Sequence, residues 1–176
     1  MHVTQHPRTP WLAPIVVSAL LATTATAHAK DRLDIQLSGY GEVPNSLSTE
    51  ASGRFKGKID EKSGTITYEL SYSGLVEVRQ AHIHLGRRAL NGGIMVWLCQ
   101  TAINVDPTGL SPVCPPQSGT VSGVIQAENV IGPPGQGVTA GAFETLVDAI
   151  RANAAYVNVH SAAYPGGEIR GQLRDD

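Results

Sequence analysis

Several things are scarce in this sequence, and each scarcity removes a class of function. Aromatic residues make up only 5% of it. Trp97, the one tryptophan outside the N-terminal stretch, lies in an apolar run, which leaves little for a sugar-stacking platform. Charged residues are 16%, with 13 Lys and Arg against 15 Asp and Glu, so there is no basic face for a nucleic acid and no drive towards an anionic membrane surface. No Gly-x-Ser-x-Gly elbow and no phosphate-cradling glycine loop is present, and no cysteine stands free to pair with a histidine as a nucleophile. Internal repeats and coiled-coil heptads are absent as well.

What is there begins with a leader. A polar start carrying Arg8 precedes a short apolar run over 11–22, and a small-residue tract then ends in Ala27-His28-Ala29. That order is the signature of a secretory signal peptide. The run is shorter than the roughly 20 apolar residues of a membrane span, which argues against an uncleaved anchor. Cleavage is expected after Ala29, leaving a single domain over 30–176 with 12 basic and 15 acidic residues. No cysteine follows the leader as a lipid anchor. The expected location is periplasmic or secreted, with no membrane span after cleavage, no nucleic-acid partner, and an unknown extracytoplasmic partner. Two cysteines, Cys99 and Cys114, fall in this exported part. In an oxidising compartment they are expected to form a disulfide, the alternative being two thiols on a metal.

Past the leader the pattern is short strands with turn punctuation. Apolar and polar residues alternate, or β-branched residues cluster, over 33–38, 51–60, 65–72, 76–85, 94–99, 120–126, 155–160 and 168–174. One segment differs: Phe143, Leu146, Val147 and Ile150 share a helical face. A helix is expected over about 140–152, with Thr139 as its N-cap and Arg151 and Asn153 at its C-terminal end. The fold class is mainly β, a Greek-key sandwich with one short helix closing an end.

Three histidines remain after the leader: His82, His84 and His160. Residues two apart in a strand share a face. His82 and His84 therefore lie opposite Ala81, Ile83 and Leu85. Tyr156, Asn158 and His160 lie opposite Val157 and Val159, and Glu168, Arg170 and Gln172 lie opposite Ile169 and Leu173. If these strands are neighbours, the polar groups converge. Imidazoles suit copper and zinc, so His82, His84 and His160, with Glu168 or water as a fourth ligand, form a candidate metal site. The other reading is a structural hydrogen-bond network of the histidines with Tyr156, Asn158 and Arg170, in which Glu168 and Arg170 pair. Glu168 is the only acid on these faces, so no carboxylate pair for hydrolysis is visible, and no catalytic residue is assigned.

Four segments carry a resemblance: Gly41-Glu-Val-Pro44, Ala81-His-Ile-His-Leu-Gly86, Tyr156-Val-Asn-Val-His160 and Pro165-Gly-Gly-Glu-Ile-Arg-Gly-Gln-Leu173. Together they resemble the CHRD domain, named for its occurrence in chordin, over about 33–173. The resemblance implies an immunoglobulin-like β-sandwich and no settled activity, hence a binding or structural module rather than an enzyme. A fainter similarity runs to Cu/Zn superoxide dismutases, through His82-Ile-His84, Cys99/Cys114 and Arg170. Those enzymes take four histidines at copper alone. Three histidines exclude the full two-metal site and leave only a copper-only or zinc-only centre.

Overall fold

The two-residue alternation becomes eight antiparallel strands and one α-helix in a computed structural model that describes residues 1–2 and 32–174. The leader expected at 1–29, apart from its first two residues, lies outside the described residues. The strands are β1 (Arg32–Ser38), β2 (Ser52–Asp60), β3 (Thr65–Ser73), β4 (Val78–Leu85), β5 (Ile94–Cys99), β6 (Gly119–Ile125), β7 (Ala155–Ser161) and β8 (Ile169–Leu173), with α1 (Phe143–Arg151) before β7. The expected start of β4 at Val76 moves to Val78 because Glu77 takes a left-handed backbone, φ 51°, and interrupts the strand.

The strands run in the order β5-β4-β7-β8-β1-β2-β3-β6. β8 and β1 share a single register pair, Ser38 opposite Arg170, so the sheet bends there into two four-stranded halves. Val96 in β5 bridges Val130, just beyond β6, which brings the two outer edges together. Between the halves lies one core. Phe55, Ile66 and Leu70 come from one half and Ile83, Val157 and Ile169 from the other. Each such fully buried side chain contributes ~1.5–3 kcal/mol. The Tyr68 hydroxyl donates across the core to the Leu98 carbonyl at 2.7 Å.

Phe143, Leu146, Val147 and Ile150 are buried on one face of α1, which packs against β7. Thr139 does not cap this helix. The N-cap position is Ala142, because Gly141 takes φ 82° and residues 139–142 form a separate turn, with the Ala142 N–H donating to the Thr139 carbonyl. The other end is as expected: Arg151 bonds Glu61, and Asn153 leaves the helix with φ 53°. Cys99 and Cys114 are joined, with their Cα atoms 5.1 Å apart, so the thiol–metal alternative falls away. Among the described residues no helix is long and apolar enough to cross a membrane.

Candidate metal centre

The polar faces of β4, β7 and β8 converge because these strands are neighbours. Antiparallel pairing sets His82 opposite Asn158 and His84 opposite Tyr156, while His160, opposite Gln80, sits diagonally from His82. On the far side of β7, Asn158 lies opposite Arg170 and Tyr156 opposite Gln172. β5 places Trp97 opposite His82. This face is not open to water: every residue of β7 is buried. The segment before Ala51, the segment between β4 and β5, and the turn before β8 roof it over.

Two glycines let that roof close. A Cβ on Gly92 would stand 1.6 Å from the Leu85 carbonyl oxygen, so no other residue fits where the Asn91-Gly92-Gly93 turn folds back. Gly167 combines φ 128° with a Cβ position within 3 Å of both the Asn158 and Glu42 side chains. The roof in turn supplies carbonyls. His84 Nδ1 donates to the Gly92 carbonyl at 3.0 Å, and His160 Nδ1 donates to the Pro165 carbonyl at 2.9 Å.

These partners fix the protons. A carbonyl only accepts, so His84 and His160 each carry their hydrogen on Nδ1 and present a bare lone pair at Nε2. His82 Nδ1 lies 3.2 Å from His160 Nε2 and must therefore be the donor. Its own Nε2 is then also bare. His82 Nε2 and His84 Nε2 are buried and have no hydrogen-bond partner. The residues are 0%, 8% and 6% exposed for His82, His84 and His160.

Burial keeps all three rings neutral. Desolvation, helped by repulsion from the other two rings, lowers His82 to about 2. Desolvation outweighs the Gly92 hydrogen bond and lowers His84 to about 4. His160 is lowered for the same first reason, against its bond to Pro165. One ligand nitrogen from each of the three rings lies within 4.8 Å of the others. Neutral imidazole with Nδ1–H held by a backbone carbonyl is the form in which histidine binds a metal through Nε2.

The neighbours are aromatic and polar. The Trp97 ring meets His82 edge-on at 4.3 Å, and Tyr156 stacks flat on His84 at 4.7 Å. Arg170 covers Tyr156, its guanidinium carbon 3.4 Å from the ring centroid, and donates to Asn91 Oδ1 and to the Arg87 and Leu90 carbonyls. Tyr156 thus links Arg170 to His84, while Asn158, opposite His82 in the strand register, holds a buried acid. Asn158 Nδ2 donates to Glu42 Oε1 at 2.5 Å.

Two expectations for Glu168 change. It does not pair with Arg170, whose guanidinium is held by the roof. Nor does it belong to the three-nitrogen group; Glu168 Oε1 instead accepts from the Thr49 hydroxyl at 2.7 Å. Glu168 Oε2 is buried without a partner.

Glu42 was missed, because it comes from a polar loop rather than a strand face. It is buried, and desolvation raises its carboxyl to about 7 against the pull of Arg170 and Asn158; Glu168 pushes in the same upward direction. The face therefore holds two acids rather than one. The signal was present in Gly41-Glu-Val-Pro44, where a single acid interrupts a Ser/Asn/Thr-rich loop.

The CHRD domain model matches residues 33–173. The chain belongs to the CHRD domain family. All four segments through which the sequence resembles a CHRD domain meet at this one roofed face, contributing Glu42, His82 and His84, Tyr156 to His160, and Glu168 with Arg170. No curated protein and no solved structure matches the chain.

Proposed function

We propose that this CHRD-domain protein is an exported, non-catalytic metal-binding module that holds one copper or zinc ion on His82, His84 and His160. The observation that carries this reading is the pair of buried, unpartnered nitrogens, His82 Nε2 and His84 Nε2. A buried acceptor left unsatisfied costs about 1–3 kcal/mol, and apolar residues in its place would pack without that cost. The structural-network alternative accounts for the bonds from His84 to Gly92 and from His160 to Pro165. It leaves the two bare lone pairs without a purpose. A cation answers them.

The spacing fits as well. Metal–nitrogen bonds of about 2.0–2.1 Å put neighbouring ligands of a tetrahedral ion about 3.3 Å apart. One nitrogen from each ring lies within 4.8 Å of the others, so small ring movements bring all three onto one ion, which takes the place of the hydrogen bond from His82 Nδ1 to His160 Nε2. Neutral rings need lose no charge to bind, so uptake is favoured down to mildly acid pH.

The test is metal analysis of the purified protein, expressed from the whole sequence, after incubation with each ion. One equivalent of copper or zinc is expected, lost in His84→Ala. Absence of stoichiometric metal from correctly folded protein overturns the reading. Intact mass checks the export part of the proposal: a mature chain starting at Lys30 is expected, and retention of residues 1–29 contradicts it.

A further inference from the structure

We infer that the ion taken by this centre is monovalent copper, held by three imidazoles with no fourth ligand. This rests on the metal-binding reading above and adds the identity and charge of the ion. Three independent features of the site lead to it.

The first is the donor count. The cluster offers three nitrogens and no oxygen or sulfur. Glu168 stands outside that group, with Oε1 taken by the Thr49 hydroxyl, Glu42 is engaged by Asn158, and both cysteines are tied in a disulfide. Zinc sites with three protein ligands complete a tetrahedron with water or substrate. A filled-shell monovalent copper ion is content with two or three imidazoles in a linear or trigonal arrangement.

Access is the second feature. The unpartnered nitrogens of His82 and His84 are closed to solvent. Trp97 and Tyr156 stand against the rings, and the Gly92 and Pro165 carbonyls cap the outer nitrogens of His84 and His160. A water from bulk solvent does not reach a fourth position without the roof moving.

The third is charge. All three ligands are neutral, and the nearest fixed cation acts against a second positive charge: Arg170 lies on Tyr156, which lies on His84. The cost of burying an ion grows with the square of its charge, so with neutral ligands a +1 ion is favoured over a +2 ion of similar size. Glu42 and Glu168 lie on the same face but outside the three-nitrogen group, so neither is a ligand that would cancel charge at the ion.

The experiment is a competition. The protein, with its disulfide intact, is titrated anaerobically with Cu⁺ against a chromophoric Cu⁺ chelator, and separately with Zn²⁺ against a zinc dye. One Cu⁺ per chain is expected, with an affinity on the order of a thousand-fold or more above that for Zn²⁺, from the charge cost. X-ray absorption at the copper edge is expected to show three nitrogen neighbours and no fourth light atom. Introducing an anionic ligand, His84→Asp, is expected to narrow the preference by raising zinc affinity. Zinc bound as tightly as Cu⁺ by the unaltered protein overturns the copper assignment and leaves the metal-binding reading standing. Neither ion binding stoichiometrically overturns both. If His84→Asp does not fold, the comparison of the two ions on the unaltered protein still decides.

Discussion

The two halves of the sheet carry the same alternation and use it differently. In β2 and β3 one face packs on the core while Arg54, Lys56, Lys58, Thr67 and Glu69 face water. In β4, β7 and β8 the second face is buried too, and its residues are His82, His84, Tyr156, Asn158, His160 and Arg170. The difference lies in side-chain chemistry rather than in periodicity. Lys and Glu are hydrated charges on flexible stems and mark a face left in solvent. Histidine, asparagine and tyrosine make short directional bonds and can be roofed over once each group has a partner. The covered half satisfies most of its groups and leaves His82 Nε2, His84 Nε2, Trp97 Nε1, Glu168 Oε2 and Gln172 Oε1 unpaired. A covered polar face that keeps unpaired acceptors is a place to look for a ligand; an open one is not.

The contrast can be broken first at glycine. Gly92→Ala places a methyl group against the Leu85 carbonyl under the roof. Its expected cost is about 4 kcal/mol or more, the scale of overpacking a closed site. Gly64, in the β2–β3 hairpin, has φ 64° and open space around it. Gly64→Ala is expected to cost only ~1 kcal/mol, from backbone conformation alone. Equal losses in urea unfolding would show that the roof is not tightly closed. Next in size is the disulfide between Cys99 and Cys114, which anchors the outer edge of the covered half. Reduction is expected to remove ~3 kcal/mol, and a stability unchanged by reductant would contradict that.

Acid is the third probe, applied to metal-free protein. The histidines hold folded values far below their ordinary 6.5, at about 2 for His82 and about 4 for His84. Below pH 6.5 the unfolded chain binds protons that the folded one refuses, so this contribution to stability is lost as pH falls. Glu42 has the opposite sign. Its carboxyl is raised from 4.5 to about 7, so it contributes stability that is lost as pH rises through that interval. The two oppose each other between pH 4.5 and 6.5, and below that only the histidines act. The urea midpoint is expected to fall on acidification, most steeply below pH 4.5, and bound metal should delay the fall. A flat midpoint down to pH 4 would mean that the histidines are hydrated. The smallest effect belongs to the open half: Asp34→Asn breaks the exposed pair with Arg54, and the urea midpoint is expected to stay unchanged within error.

Much of this was legible in the residues. Strand alternation placed His82 and His84 on one face and His160 with Asn158 on another, and the strands proved to be neighbours. Register was not readable, since pairing of β4 with β7 joins residues 70 or more apart in the chain. Glu42 escaped because loops have no periodicity to assign them a face. Trp97 escaped because an apolar strand gives no hint of which side its one indole takes. The helix start was misplaced because Thr139 is a good capping residue and only the left-handed Gly141 moves the start to Phe143.

The central claim is that the roofed histidines are a metal site, and the most direct measurement is the metal content of the folded protein beside its His82→Ala and His160→Ala variants. One ion per chain in the native protein and none in either variant, with all three folded, is the predicted result. Native protein that stays empty after exposure to copper and zinc would contradict it and leave the histidines as supports for the loops above them.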